Sequence, residues 1–378
     1  MRKAKILFLV NVDWFFLSHR LPVAIAAAER GFEVHVATTI TDKAHIIEES
    51  GFILHEVGIS RGKTNLLSNL RTFLDIIKIL RTVQPKIVHL VTIKPILLGG
   101  IAARLVNVQG VIAAISGLGY IFIDQGFFAS CRRFFIRALY KFSLSHKNLK
   151  IICQNLSDLD EMQRTTKLPD STFSIIDGSG VSLNKFQYSP DTHKIPQIMM
   201  ASRMLKDKGV IEFAYAASIL KKNNIAANFI LVGEPDPDNP SSVSRSQIQD
   251  WEQKGILEYW GHKDNMEDVL SQASIVVLPS YREGFPKVLI EAAACGRAIV
   301  TTDVAGCRDA IYNGVTGVLV PVKDGPALAE AISTLVKKPE TYIKMGIEGR
   351  KMAEERFDEN KVIDQHLSLY NELLASGQ

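Results

Sequence analysis

At 378 residues the chain exceeds the usual span of one hydrophobic core, so two domains are expected, each able to bury an interior. Its 47% apolar and 22% charged residues are those of a soluble globular protein; the four cysteines, Cys131, Cys153, Cys295 and Cys307, lack C-x-x-C spacing or a His-rich tract, which argues for a reducing cytoplasm and against structural zinc. Residues 1–189 hold 23 Lys and Arg against 14 Asp and Glu, and residues 190–378 hold 21 against 26, so the first half is expected to meet something anionic.

In chain order, Ile6 to Val10 is too short an apolar run for a signal peptide and reads as a first buried strand. Leu21 to Arg30 is helical, Val34 to Thr38 a strand, and Lys43 to Ser50 and Leu66 to Val83 helices; Ile87 to Val91 is a strand, Gly99 to Leu105 a helix and Val111 to Ser116 a strand. Leu105 to Ile123 carries no charge, but Asn107, Gln109, Ser116 and three glycines interrupt it, so two strands joined by a turn are expected rather than a membrane span. Polar and proline residues between Val181 and Pro196 mark a boundary. The alternation then restarts with Gln197 to Ala201, Val210 to Lys222, Asn228 to Val232, Asp264 to Gln272 and Ile275 to Leu278. Arg356 to Leu374 is helical in pattern. The expected division is residues 1–189 as an acceptor- and membrane-facing α/β domain, 190–355 as a nucleotide-sugar-binding α/β domain, and 356–378 as a terminal helix.

Phe127 to Lys150 contains Arg132, Arg133, Arg137, Lys141, Lys147 and Lys150 with no acidic residue, interleaved with aromatic and aliphatic side chains. Such a stretch suits an anionic bilayer surface, with Arg132, Arg133, Arg137 and Lys141 toward the head groups; an ordinary amphipathic helix is the alternative. No nucleic-acid-binding motif accompanies these charges.

The most informative segment is Ser280 to Glu291, SYREGFPKVLIE. It leaves the Ile275 to Leu278 strand as a loop and enters a helix at Lys287, so Glu283 on the loop and Glu291 on the helix can face one ligand outside the carboxyl end of a parallel strand. Carboxylates accept hydrogen bonds from hydroxyls, which suits sugar and ribose. The pattern E-G-F-P-x-V-x-x-E resembles the E-x7-E motif of retaining glycosyltransferases of family 4. The resemblance implies the GT-B fold, two facing Rossmann-like α/β domains with the last helix crossing back onto the first, where Tyr370 and Leu373 would pack. It also implies that Glu283 and the backbone of Gly284, Phe285 and Pro286 hold the donor sugar, with Lys287 and Val288 beside them, and that Glu291 holds the ribose. Gly233 and His262 complete the donor-side set.

Ser202 to Gly209 follows a strand and opens a helix, and a helix start with two cations is a diphosphate site. It resembles the family's R-x-x-x-x-K-G motif, which gives Arg203 and Lys208 the leaving diphosphate. With those cations no metal or other cofactor is required beyond the UDP-sugar itself, and Asp236-Pro237-Asp238 matches a metal-binding D-x-D by letter only.

In the first half, the loop Asn11 to His19 replaces the Gly-Gly of many relatives with Asn11-Val12-Asp13, and Asn11, with His19 or Asp13, is a candidate for acceptor or diphosphate contact. Lys94 is a candidate cation, while Ile93 stands where several relatives have a donor-contacting His. Gly117 and Gly119 open the segment GLGYIFIDQGF, which resembles bacterial transferases that add N-acetylhexosamines to polyprenyl-diphosphate-linked glycans of O-antigen, capsule or N-glycan precursors. The resemblance implies a cytoplasmic enzyme, peripheral on the inner face of the membrane, with a UDP-sugar donor. A same-fold UDP-sugar epimerase and a silent sugar-nucleotide-binding partner are the alternatives. An NAD-dependent dehydrogenase is disfavoured, because no G-x-G-x-x-G follows the first strand.

Overall fold

The structure, a computed structural model, describes residues 3–59, 66–118, 127–237 and 239–376, with the backbone alone for 127–134. The chain divides into two compact units, Met1–Ser179 with Asn360–Gln378, and Gly180–Glu359. The sequence-based divisions were placed after residues 189 and 355.

The first unit carries β1 (Lys5–Val12), α1 (Asp13–His19), α2 (Leu21–Glu29), β2 (Glu33–Thr39), α3 (Ala44–Glu49), β3 (Ile53–Glu56), α4 (Leu66–Val83), β4 (Ile87–Val91), α5 (Gly100–Leu105), β5 (Gly110–Ile115), α6 (Phe127–Ser143), β6 (Leu149–Cys153), α7 (Leu156–Thr166) and β7 (Phe173–Ile175). The described strands pair in parallel in the order β3-β2-β1-β4-β5-β6-β7. Order therefore reverses between β1 and β4. The near-continuous apolar runs follow from burial on both faces: Ile6, Phe8 and Val10 enter one core cluster, and Leu7 and Leu9 the other. Helix α4 buries Thr72, Ile76, Leu80 and Val83, spaced so that one stripe meets the sheet.

Within Leu105 to Ile123 the described residues hold one strand, β5, and residues 119–123 of the expected pair lie outside the description. Helix α5 ends at Leu105, and Asn107 turns the chain with φ +57, a conformation that asparagine tolerates better than most residues, before β5 begins. Residues 119–126, including Gly119, lie outside the description. Among the described residues no helix is long and apolar enough to cross a membrane.

The second unit carries β8 (Gln197–Ala201), α8 (Val210–Lys222), β9 (Asn228–Val232), α9 (Arg245–Gln253), β10 (Glu258–Gly261), α10 (Met266–Ser271), β11 (Ile275–Leu278), α11 (Lys287–Ala294), β12 (Ala298–Thr302), β13 (Gly317–Val320), α12 (Gly325–Val336) and α13 (Pro339–Met352). Its described strands are also parallel, in the order β10-β9-β8-β11-β12-β13, with the reversal between β8 and β11.

The last helix, α14 (Glu359–Ala375), belongs to the first unit from Asn360 onward and buries Val362, His366, Tyr370 and Leu373 there. It sits close over β5, since a Cβ on Gly110 would lie 2.9 Å from that of Leu373. Tyr370 Oη meets His89 Nδ1 at 2.8 Å, and His89 stacks on both Phe8 and His366. Arg20 is buried in the same region. Burial, reinforced by the Arg20 charge, holds His366 at about 3 and His89 well below the usual histidine range, so both rings are neutral at pH 7.

Candidate functional site

The second sheet reverses order between β8 and β11, and ligands of open parallel sheets sit outside the carboxyl ends of the strands at such a point. The two motif segments leave these two strands. After β8 the chain runs through Arg203 and a single 3₁₀ turn, Lys206–Lys208, to Gly209 and α8. Gly209 has φ +81, and a Cβ there would lie 2.2 Å from Pro279 O, so only glycine lets this turn close against the end of β11. Backbone and side-chain bonds fasten the approach: Tyr281 N–H donates to Asp207 O at 2.9 Å, and Ser280 Oγ–H lies 3.2 Å from the same oxygen.

That closure brings Lys208 Nζ to 2.5 Å from Glu283 Oε1, which also lies 2.7 Å from Ser280 Oγ. The pair is mostly buried, at 21% and 11% side-chain exposure. Two of the three residues expected to be catalytic therefore hold each other. Arg203, the third, is half exposed and lies 3.2 Å from Asp236 Oδ2 in the loop after β9. Asp236 is thereby engaged by a cation, and Asp238 lies outside the described residues.

Gly284 is pressed by a loop that the sequence reading did not single out. A Cβ on Gly306, at φ +80 after β12, would lie 2.3 Å from Gly284 O and 2.7 Å from Glu283 O. Its only sequence signal is an isolated glycine after a strand. Phe285 is a core anchor whose ring packs edge-on to Phe357 at 5.6 Å, so its backbone rather than its side chain is presented. Pro286 caps α11, where its fixed φ fits a helix start, and Val288 packs partly against the core. Glu291 is buried, one turn along from Lys287 at 3.4 Å. Burial raises the Glu291 carboxyl above its ordinary range against the pull of Lys287. Gly233, at φ +127, would place a Cβ 1.9 Å from Ser202 O, so it serves the close approach of the loops after β8 and β9. His262 is exposed beside Asp264, 3.3 Å away, on the rim of a depression of about 790 Å³ lined also by Tyr259, Trp260 and Asn265.

In the first unit the predicted residues separate. Asp13 is fully buried and accepts from Trp14 N–H at 2.7 Å, Thr41 N–H at 2.6 Å and Thr41 Oγ1 at 2.7 Å. Both oxygens thereby tie the loops after β1 and β2. His19 stacks flat on Phe15, centroids 4.1 Å apart, with Nδ1 2.5 Å from Ser18 Oγ. Asn11, Thr92 and Ser116, at the carboxyl ends of β1, β4 and β5, each bury an oxygen that has no hydrogen-bond partner among the described residues. Lys94 begins a π-helical turn, Pro95–Gly99, and partial burial lowers its pKa. Gly117, at φ +103, turns the chain out of β5.

Helix α6 is amphipathic in a double sense. Tyr140, and Leu144 just past its end, face the core, whereas Phe135, Leu139 and Phe142 are exposed, Phe135 at 70%. Arg104 of α5 lies over the Phe142 ring at 4.2 Å. Arg137 is not available as a free basic group, since Glu161 of α7 holds it at 2.8 Å; Lys141 is exposed, and the side chains of Arg132 and Arg133 lie outside the description. The sequence reading gave the α4 helix no surface role, yet it exposes Leu66 at 84% together with Leu67, Leu70 and Leu74.

A model described as "Glycosyl transferase 4-like" matches residues 5–155, and one described as "Glycosyl transferases group 1" matches residues 195–338. The chain is 31% identical to N,N'-diacetylbacillosaminyl-diphospho-undecaprenol alpha-1,3-N-acetylgalactosaminyltransferase of Campylobacter jejuni, over 96% of this chain and 99% of that one. It is 23% identical to UDP-Gal:alpha-D-GlcNAc-diphosphoundecaprenol alpha-1,3-galactosyltransferase of Escherichia coli, over 71% and 70%. Among solved structures it resembles Anabaena HepE in complex with UDP, at a TM-score of 0.77 and 16% identity over 97% of this chain and 100% of that one.

Proposed function

Because the chain belongs to the family 4 glycosyltransferases of the GT-B fold, we propose that it transfers an N-acetylhexosamine from a UDP-sugar to a polyprenyl-diphosphate-linked saccharide of a bacterial surface glycan. The observation that carries this reading is the Lys208–Glu283 pair at the reversal point of the second sheet. The pair sets a cation that suits a diphosphate beside a carboxylate that suits sugar hydroxyls. Arg203 and Lys208 then neutralise the departing diphosphate, work done by a metal ion in other transferases. Glu291, whose carboxyl burial raises above its ordinary range, takes the ribose hydroxyls. The acceptor hydroxyl oxygen attacks the anomeric carbon from the face that the phosphate leaves; as the C1–O bond breaks, the departing phosphate oxygen takes the acceptor proton, giving UDP and a retained linkage.

The acceptor's lipid places the reaction at a bilayer, and two helices of the first unit support docking on its inner, anionic face. Exposed leucines of α4 and exposed aromatic residues of α6 are what a soluble surface usually hides, and Lys141 with Arg132 and Arg133 supplies the basic complement.

Purified protein, a panel of UDP-sugars and a short-chain lipid-diphosphate saccharide test the reading. Glycosylated product with retained anomeric configuration, formed equally in EDTA, is expected. Epimerised UDP-sugar formed without acceptor would make the protein an epimerase, and UDP-sugar binding with no turnover would make it a silent partner.

A further inference from the structure

The backbone that carries Arg203 and Lys208 is fastened on two sides. Toward β11 it is closed by Gly209 and by the bonds that Tyr281 N–H and Ser280 Oγ make to Asp207 O. Toward β9 it is paired with the loop that follows that strand. Met204 N–H donates to Glu234 O at 3.0 Å, Lys206 N–H to Ser241 O at 2.8 Å and Val243 N–H to Met204 O at 2.8 Å, with Leu205 and Ser242 in antiparallel register. Ser241 Oγ–H adds a bond to Asp207 Oδ1 at 2.7 Å. What this backbone does not fix is the rotamer of Arg203, a long side chain that is half exposed.

Asp236 supplies that constraint. Its Oδ2 accepts from Arg203 Nη1 at 3.2 Å, and the partners differ in freedom: the arginine side chain is 49% exposed and the aspartate 19%. The aspartate is also held from behind. Its N–H donates to Ser242 Oγ at 3.0 Å, its carbonyl accepts from Asn239 N–H at 2.9 Å, and Ser242 N–H reaches Asn239 O at 2.9 Å. An ion pair between two mobile surface side chains contributes little. Here the carboxylate is anchored in the loop that also pairs with the backbone beside Arg203, so the contact sets where the guanidinium stands.

The contact engages one N–H of a planar fork that has five, which leaves donors for phosphate oxygens. A carboxylate this close to a cation meant for a diphosphate also repels that ligand, so its contribution has to lie in orientation rather than in affinity. We infer that Asp236 is a positioning residue of the transfer reaction, acting through Arg203 to orient the guanidinium for the leaving diphosphate. This role rests on the transferase reading above and adds to it a residue outside both sequence motifs.

A double-mutant cycle on the full chain tests it, read by steady-state kinetics with the UDP-sugar and the short-chain lipid-diphosphate saccharide. Arg203→Ala should lower kcat roughly a hundredfold, the scale of one lost donor to developing charge. Asp236→Ala should lower it roughly tenfold, as for a misplaced catalytic group, while the KM for UDP-sugar stays within about threefold. Added to Arg203→Ala, it should cost nothing more, because no guanidinium is left to orient. Asp236→Asn, which retains an acceptor oxygen, should recover most of kcat.

A mere brace for the loop after β9 gives another pattern, a lowered Tm and the same loss of kcat with or without Arg203. That pattern, or an unchanged kcat in Asp236→Ala, overturns the inference and leaves the transferase reading standing. If the parent forms no product, the transferase reading falls, and calorimetric titration of the same cycle with UDP decides the role of Asp236. Effects of the two substitutions on the UDP Kd that multiply independently overturn it, a departure from independence of about threefold or more supports it, and a parent that binds no UDP overturns both. Should Asp236→Ala fail to fold, Asp236→Ser, too short to reach the guanidinium, takes its place in the cycle.

Discussion

Lys208 and Glu283 make opposite predictions for nucleotide binding, and the difference distinguishes a ligand site from a structural strut. The lysine ammonium lies 2.5 Å from the carboxylate, with both side chains largely buried. An arriving diphosphate must draw Lys208 away from Glu283. Lys208→Ala deletes one charged hydrogen bond to that ligand, worth about 1.5–3 kcal/mol, which is roughly a tenfold to hundredfold rise in the Kd for UDP and for UDP-sugar alike. Glu283→Gln keeps the size and the contact with Ser280 but removes the anion that competes for Lys208 and repels the diphosphate. UDP should then bind as tightly as to the parent, or more tightly, while transfer falls because the neutral amide no longer holds the sugar hydroxyls as strongly. Calorimetric titration with UDP reads the first effect, and steady-state kinetics with saturating acceptor the second. Equal weakening of UDP by both substitutions would refute the reasoning, since the pair would then only brace the loops after β8 and β11. Glu283→Ala should largely abolish turnover; a raised KM with kcat intact would assign Glu283 to docking alone.

Other outcomes follow from the same geometry. Gly306→Ala forces a Cβ to 2.3 Å from Gly284 O at φ +80, so transfer should fall at least tenfold for about 1–3 kcal/mol of destabilisation, measured as kcat beside Tm; unchanged kinetics would show that the loop yields without moving Glu283. His366 is held neutral at about 3 against an ordinary 6.5, so its stabilising contribution is complete above pH 6.5 and is lost as pH falls toward 3. Between pH 7.5 and 5 this amounts to about 2 kcal/mol in denaturant unfolding, to which His89 adds in the same direction, and His366→Phe should remove the His366 share; an undiminished difference would acquit the histidine. Gln at Arg132, Arg133 and Lys141 should lower partitioning onto anionic vesicles on the order of a hundredfold, at roughly 1 kcal/mol per charge, with high salt acting likewise on the parent. Arg137→Gln, already engaged by Glu161, should do less, and equal sedimentation of triple variant and parent would remove α6 from the membrane.

Strands and helices that are buried on both faces were legible, because runs such as Ile6 to Val10 and Ile275 to Leu278 have no polar face to confuse the pattern. The second-unit motif was legible too, as charged residues in fixed local spacing. What the sequence hid depends on distant partners. Asp13 looks like an available carboxylate until Thr41 is brought against it, and Gly306 like any loop glycine until it meets Gly284. The leucines of α4 read as one amphipathic helix, because a hydrophobic pattern does not say which apolar face the sheet covers. The left-handed backbone of Thr92, at φ +76, leaves no mark in composition at all, since threonine is an ordinary strand residue.

The return of α14 to the first unit has a consequence for biogenesis. A ribosome that has finished Ser179 has not finished that unit; the residues that cover β1, β4 and β5 come only after Glu359. At about 5–20 residues per second, the intervening 180 or so residues impose a wait on the order of 10–40 s. Throughout that interval the slot for Tyr370 and Leu373, floored by Phe8, His89 and Gly110, stays uncovered, while Gly180–Glu359 is continuous and can close as soon as it emerges. The N-terminal half of the nascent chain is thus the part that needs shelter, and its dependence on residues made after Glu359 makes a chain stopped there defective in its first unit rather than its second.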